Sequence, residues 1–528
     1  MPLPRAMGLG QRFELLAFLE SIPHSDVSPP RLTQRKEERN MPLVHRMLRY
    51  LLLPPLRTAV VDDFRAWRGI ALYIAALHLA RKIEQTTDRP HIGYMLPTSG
   101  LSPVTILATW MLGRTIVPIN CLLSPADRRH IIENAELDSV VTITPMIEHF
   151  GDLPPEVKSI QLDRMSFRGV PPLRQPLHST DDSLAALLYT SGTSGRPKGV
   201  MLTAGNLIAN IQQCIEWARL PRRTVFLGVL PQFHCFGLTV LTLIPLWLGA
   251  KAVYTARFIP KRILELMLAH RPHILLAVPS MLNGLLNAKS ATPEHFSSVR
   301  FLVSGGEPLP QRVFDGFRER FGVTLNEGYG LTELSPVANW CRPQDHKRHS
   351  VGPPLPRVEE RIVSLTGEIL GANQEGEVRI KGPNLMKGYY KAGAETAAAL
   401  DEDGFLRTGD LGHIDEDGLL FITGRIKELM VIGGENVSPR TIEEVLDLYP
   451  GVQSSAVIGI PDPDRGEVPV AFVEMDGDTA FDEARMRAHC RQSLAPYQVP
   501  RKIVRLESIP RSPTGKILRR DLRGLLDN

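Results

Sequence analysis

The run Tyr189-Thr190-Ser191-Gly192-Thr193-Ser194-Gly195-Arg196-Pro197-Lys198-Gly199 emerges from an apolar stretch at 185–189 and leads towards a helical pattern. A loop that wraps phosphates needs glycines for close backbone approach, hydroxyls and N–H groups as donors, and a cation to balance charge. All of these are present here. The spacing departs from the Walker pattern, because Pro197 stands where that motif requires a glycine before its lysine. A flexible Gly/Ser linker has a similar composition, but a linker rarely sits between a buried strand and a helix.

Two further segments carry complementary groups. Gly328-Tyr329-Gly330-Leu331-Thr332-Glu333 offers a ring to stack on a base, a hydroxyl for a phosphate and a carboxylate for the magnesium that accompanies ATP. Thr408-Gly409-Asp410 sets a carboxylate after a tight turn, suited to the two hydroxyls of a ribose. Each of these, taken singly, is compatible with an ordinary turn.

The elements that must position these groups read as an α/β protein. Strand-like runs at 185–189, 225–230, 274–278 and 301–303 alternate with helical patterns at 206–219, 260–269 and 311–321, which predicts largely parallel sheets. From about residue 351 the texture changes to short strands and glycine-rich turns at Gly367, Gly376, Gly404 and Gly418. Beyond Gly424 comes a last block: a helix at 438–448, strands at 455–460 and 468–474, then a helix and a basic stretch. The domain boundary is therefore expected at 424/425, and 528 residues exceed what one hydrophobic core normally organises.

Composition narrows the function classes. The 43% hydrophobic content is ample for large cores, and a net charge of +4 from 61 basic and 57 acidic residues does not suggest a nucleic-acid partner. Five widely spaced cysteines fit reduced thiols and the cytoplasm better than a disulfide framework, and neither a CxxC nor an HExxH pattern marks a zinc site. The apolar stretch after Arg5 is broken by Arg12, Glu14 and Glu20, unlike a secretory signal. Residues 224–250 lack charge and pass a crude length test for a membrane span. Pro231, Gln232, His234, Gly237 and Pro245 within them point to buried core instead. Segment 41–57, with Arg46, Arg49, Tyr50 and Leu51-Leu52-Leu53, reads as a packed helix, with peripheral contact to a membrane surface as the alternative.

Together the motifs resemble the adenylate-forming superfamily of acyl-CoA synthetases, peptide-synthetase adenylation domains and luciferases. The resemblance runs from about residue 57 to 522, in the family's order: the phosphate loop, Tyr329 to Glu333, Thr408 to Asp410, Gly424-Arg425-Ile426-Lys427 and Pro513-Thr514-Gly515-Lys516. It implies a large N-terminal domain of stacked α/β subdomains (41–424), a small mobile α+β C-terminal domain (425–528) and an active site between them. Residues 1–40 match nothing recognisable, and the usual Thr-Tyr pair is missing near Arg65-Ala66-Trp67.

The resemblance also implies roles. Thr190, Ser191, Gly192, Thr193, Ser194, Gly195 and Lys198 would hold the phosphates, and Gly305-Gly306-Glu307-Pro308 looks like the segment bordering adenine and the acyl pocket. Tyr329, followed by Gly330, would stack on adenine, Thr332 would contact the α-phosphate and Glu333 would bind magnesium. Asp410 and Arg425 resemble the ribose ligands, and Lys516 the lysine that bridges the acyl carboxylate and the α-phosphate. His234 matches the gate of the acid pocket, although a lone histidine in an apolar run is usually a core residue. Lys427 would be the hinge, and Gly433-Gly434 would line the path of the pantetheine arm. The segment Gly433-Gly434-Glu435-Asn436-Val437-Ser438-Pro439 looks like acyl-CoA synthetases, which implies a medium- or long-chain fatty acid, ATP and CoA. Residues 230–254 and 328–336 also resemble acyl-acyl carrier protein synthetases, so a carrier protein is the alternative acceptor. A non-catalytic nucleotide-binding relative is the remaining alternative, opposed by retention of Lys516, Glu333, Asp410 and Arg425.

Overall fold

The computed structural model describes residues 43–169, 171–177, 179–191, 196–476, 479–511 and 517–526. Two sheets dominate the N-terminal part. The first runs in the spatial order Gly388–Tyr389, Pro197–Thr203, Leu184–Ser191, Thr115–Pro118, His91–Tyr94, Ser139–Thr142, Lys158–Gln161. The second runs Val337–Trp340, Asn326–Gly330, Phe301–Ser304, Ile274–Ala277, Val225–Gly228, Lys251–Tyr254, Thr58–Val61, Ala66–Arg68. Their central strands are parallel, as the alternation of strands and helices predicts, and antiparallel neighbours occur towards the edges. Both carry the chemistry-bearing loops at strand ends.

The helix at 206–219 is observed as Ala204–Ala218. It starts at Thr203, whose hydroxyl accepts from the Asn206 N–H while the Asn206 side chain returns to the Thr203 N–H. This reciprocal cap satisfies two donors that a helix start otherwise leaves open. It also fixes the exit of the strand that carries Lys198. Residues 224–250 are core, as expected: Cys235–Leu238, Thr239–Leu243 and Ile244–Leu248 form consecutive helical turns, and every residue from Leu238 to Leu248 is buried. Among the described residues no helix is long and apolar enough to cross a membrane. The helix Leu43–Leu52 is packed, with Leu43, Val44, Met47, Leu48, Leu51 and Leu52 all buried, so its apolar face is covered inside the fold rather than offered to a surface. That agrees with the packed-helix reading of this segment.

A five-stranded antiparallel sheet, ordered Ser350–Gly352, Leu420–Arg425, Leu406–Ile414, Gly376–Lys381, Glu359–Val363, follows and ends on Arg425. The last sheet comprises Glu435–Val437, Met430–Ile432, Gly466–Met475 and Val452–Asp462, with Lys502–Leu506 parallel to Gly466–Met475. Apolar packing divides at the same place. One continuous core spans Leu43 to Leu420, and separate clusters built on Met430, Ile432, Ile442, Leu446, Ala456 and Phe472 follow it.

Candidate active site

The strands Leu184–Ser191 and Pro197–Thr203 are antiparallel, with Thr190 opposite Lys198 and Ser191 opposite Pro197. They hold the ends of the phosphate loop. Gly192, Thr193, Ser194 and Gly195 lie outside the described residues, as does the side chain of Ser191. Gly199 is needed for close packing, since a Cβ there would stand 2.9 Å from Leu187 Cδ1. Lys198 is half-buried, and its Nζ lies 5.7 Å from the centre of the Tyr389 ring.

The parallel strands Phe301–Ser304 and Asn326–Gly330 deliver the next two groups. Gly305 passes close to Phe236, where an added Cβ would meet the ring at 3.1 Å. Glu307 accepts a hydrogen bond from the Ile517 N–H at 2.9 Å, and Arg511 Nη1 stands 3.8 Å from its other oxygen. Two residues before Tyr329, the buried Glu327 pairs with Arg348 Nη1 at 2.7 Å. Burial raises the Glu327 pKa despite that cation.

Tyr329 donates its hydroxyl to Asp410 Oδ2 at 2.6 Å, and Arg425 forms an ion pair with the same carboxylate, Nε to Oδ1 at 2.9 Å. Asp410 and Arg425 are directly opposed on adjacent antiparallel strands, so their pairing is set by sheet register. Asp410 is 2% exposed. Burial, and then the negative charge of Asp410, raise the Tyr329 pKa, which keeps the phenol a donor. Gly306, Glu307, Pro308, Tyr329, Gly330, Asp410 and Arg425 all line one cavity of 860 Å³. Its far wall comes from the C-terminal part, including Glu443, Asp447, Arg511, Ile517 and Arg519.

Thr332 and Glu333 form the short 3₁₀ turn Thr332–Leu334 just beyond Gly330. Glu333 Oε1 accepts from the Tyr389 hydroxyl at 2.9 Å. His234 is exposed rather than a core residue, and it caps the turn Cys235–Leu238, its carbonyl accepting from the Leu238 N–H at 2.8 Å. The adjacent Gln232 is the buried one: it accepts from the Ser99 N–H at 2.8 Å and donates to Thr242 at 3.0 Å.

Lys427 is exposed in the turn Ile426–Glu428 that joins the third sheet to the fourth. Gly433 and Gly434 form the two-residue turn between Met430–Ile432 and Glu435–Val437, both with positive φ (61° and 91°). Nothing lies within 4 Å of a Cβ placed on either. Neither lines the 860 Å³ cavity. Lys516 lies outside the described residues.

Sequence reasoning did not single out Tyr389, Arg511 or the pair Arg519–Glu443, whose two Nη2–carboxylate contacts are each 2.7 Å. Tyr389 reaches Glu333 across 56 positions of chain, and no spacing rule connects them. The Gly388-Tyr389-Tyr390 run was the visible signal: a glycine beside two aromatics.

The sequence matches the AMP-binding enzyme family over residues 53–390 and the AMP-binding enzyme C-terminal domain over residues 441–516. The chain belongs to the AMP-binding enzyme family. This AMP-binding enzyme is 37% identical to the long-chain-fatty-acid–CoA ligase of Bacillus subtilis over 354 residues, which are 66% of this chain and 62% of that relative. It is 34% identical to the sulfoacetate–CoA ligase of Cupriavidus necator over 443 residues, 81% of this chain and 86% of that one. The ATP-bound crystal structure of MatB from Rhodopseudomonas palustris superposes with a TM-score of 0.84 at 30% identity, covering 92% of this chain and 99% of MatB.

Proposed function

We propose that this AMP-binding enzyme is an acid–thiol ligase that joins a medium- or long-chain fatty acid to AMP at the expense of ATP and then transfers the acyl group to CoA. The observation that carries the proposal is the convergence of Tyr329, Asp410 and Arg425 on the cavity wall, with Glu333 in the turn just beyond Gly330 and Lys198 on the strand that pairs with Gly388–Tyr389. A ring, a carboxylate and a guanidinium there suit a base and a ribose, and the hydroxyl-rich loop with Lys198 suits the phosphates.

A carboxylate is a poor electrophile, so its oxygen first attacks the α-phosphorus and pyrophosphate departs. The thiol sulfur of CoA then attacks the acyl carbon, AMP departs with the electron pair of the broken C–O bond, and the thiol proton passes to solvent. Two anions must approach each other in the first step. Lys198 and Lys516 would neutralise that repulsion, each such donor being worth about 3–4 kcal/mol. A magnesium ion arriving with ATP would add positive charge at the phosphates. Glu333 would hold it, supplying the hard carboxylate oxygen that magnesium prefers, and its Oε1 is oriented by the Tyr389 hydroxyl at 2.9 Å.

The fatty acid is favoured by the Bacillus relative and by the apolar stretch 236–248 beside His234. CoA is favoured as the acceptor because both relatives are CoA ligases. The five buried free cysteines accord with the cytoplasm as the working location. ATP–pyrophosphate exchange with a panel of fatty, aromatic, sulfonated and amino acids tests the acid. Rates should climb with chain length at about 0.8 kcal/mol per methylene until the pocket fills. Equal or better rates with acetate, sulfoacetate or cinnamate-like acids would sink the fatty-acid assignment. Repeating the reaction with CoA and with acyl carrier protein decides the acceptor, and no exchange with any acid would favour a non-catalytic relative.

A further inference from the structure

Glu333 and Lys198 both lie beside one side chain, that of Tyr389. The Tyr389 hydroxyl donates to Glu333 Oε1 at 2.9 Å, while Lys198 Nζ lies 5.7 Å from the centre of the same ring. Neither Lys198 nor Glu333 makes an ion pair within 4 Å with a described residue. A direct Lys198–Glu333 bridge would neutralise both charges before any phosphate arrived.

The backbone around Tyr389 is tied to the same two places. The strand Gly388–Tyr389 pairs antiparallel with the phosphate-loop strand, Gly388 opposite Met201 and Tyr389 opposite Val200. The Tyr390 N–H donates to the Gly199 carbonyl at 2.7 Å, and the Met386 N–H donates to the Glu333 carbonyl at 2.7 Å. The Tyr389 N–H is held by Thr396 Oγ1 at 2.8 Å, and that hydroxyl donates onward to the Ala392 carbonyl at 2.9 Å. A Cβ on Gly388 would come within 2.7 Å of Thr396 Cγ2, and its φ of 141° is one that other residues rarely adopt. Residues 386–390 therefore clamp the phosphate-loop strand to the Glu333 turn.

We propose that Tyr389 is a positioning residue: it fixes one oxygen of Glu333 so that the other faces the magnesium of Mg–ATP. The proposal rests on the assignment of Glu333 as the magnesium ligand.

The test uses the full-length enzyme and the variants Tyr389→Phe, Glu333→Gln and the double variant. Two readouts are taken: the magnesium dependence of ATP–pyrophosphate exchange, and Mn²⁺ binding in the presence of ATP followed by electron paramagnetic resonance. Tyr389→Phe keeps the ring and loses only the hydroxyl. A hydrogen bond to a charged group is typically worth a factor of about 10 or more. The half-saturating metal concentration should rise about 10-fold in both readouts with the KM for the acid unchanged. The double variant should be no worse than Glu333→Gln. Unchanged metal dependence in Tyr389→Phe, or additive losses in the double variant, would overturn the positioning role while leaving the site reading intact. Unchanged metal dependence in Glu333→Gln would instead remove the magnesium assignment on which the role depends.

Discussion

The Ile517 N–H donates to Glu307 Oε1 across 210 positions of chain, so the residue directly after Lys516 is fastened to the wall of the cavity that Tyr329 and Asp410 also line. Arg511 Nη1 lies 3.8 Å from the other Glu307 oxygen, and Arg511 Nη2 approaches Glu474 at 4.0 Å. In this arrangement the C-terminal part meets the N-terminal part through Arg511 and Ile517. The turn of Gly433 and Gly434 is exposed instead. Glu307→Ala should therefore slow pyrophosphate exchange about 10-fold, the usual worth of a hydrogen bond to a charged group, and Glu307→Gln should slow it less. Thioester formation from supplied acyl-adenylate should hardly change. Equal losses in both half-reactions would show that the fastening does not serve the first of them.

Lys516→Ala should depress pyrophosphate exchange by roughly 10²–10³-fold, the cost of losing one donor aimed at transition-state charge. Thioester formation from acyl-adenylate should survive, because the leaving group there already carries its phosphate. Rapid-quench measurements of the two half-reactions, with circular dichroism to confirm the fold, decide the matter. A parallel loss in both would refute the role.

Much of this site could be read from residue types and order alone, and the limits of that reading are physical. The loop after Leu184–Ser191 and the pairing of Asp410 with nearby Arg425 both reflect local geometry, the latter through the register of adjacent strands. Contacts between segments far apart in the chain carry no such signature. Tyr389 finds Glu333, and Ile517 finds Glu307, only after strands and domains have been assembled. His234 shows a different limit: a histidine in an apolar run is usually a core residue, the resemblance implies a gate instead, and the structure leaves His234 exposed while Gln232, two residues before it, is buried. Hydropathy reports on a segment as a whole. It does not say which member of a turn faces water.

Asp447, on the C-terminal wall of the cavity, gives a pH prediction. Burial, with further repulsion from Glu443 and Glu444, pushes its pKa up to about 7, against the opposing influences of the Ser455 hydroxyl, 2.7 Å away, and Arg511. The folded protein therefore holds a proton that the unfolded chain releases near the ordinary aspartate value of 3.8. The sign follows: the stabilisation is complete below pH 3.8 and declines as pH rises through about 7. Melting temperatures of the wild type and Asp447→Asn should converge at low pH and separate by pH 8, with the variant the more stable. Parallel curves over that range would show that Asp447 does not titrate there.

The final prediction concerns passage between the half-reactions, through Lys427 and Gly434. Lys427 is exposed in the short turn Ile426–Glu428, which joins the third sheet to the fourth. Proline at 427 fixes φ near −65° and disfavours the helical backbone of Ile426 before it, so movement about the turn becomes costly. Lys427→Pro should reduce thioester formation at least 10-fold more than pyrophosphate exchange, as expected when a domain movement separates the two steps. Gly434 has open space around its missing Cβ but a φ of 91°, so a leucine there both fills the proposed thiol path and strains the turn. Gly434→Asn separates the two effects, because asparagine tolerates positive φ with a smaller side chain. Thioester rates should fall in the order wild type, Gly434→Asn, Gly434→Leu, while pyrophosphate exchange stays within a few-fold of wild type. If Gly434→Leu makes thioester at the wild-type rate, the glycine pair is only a tight turn; if Lys427→Pro does so as well, the hinge assignment falls with it.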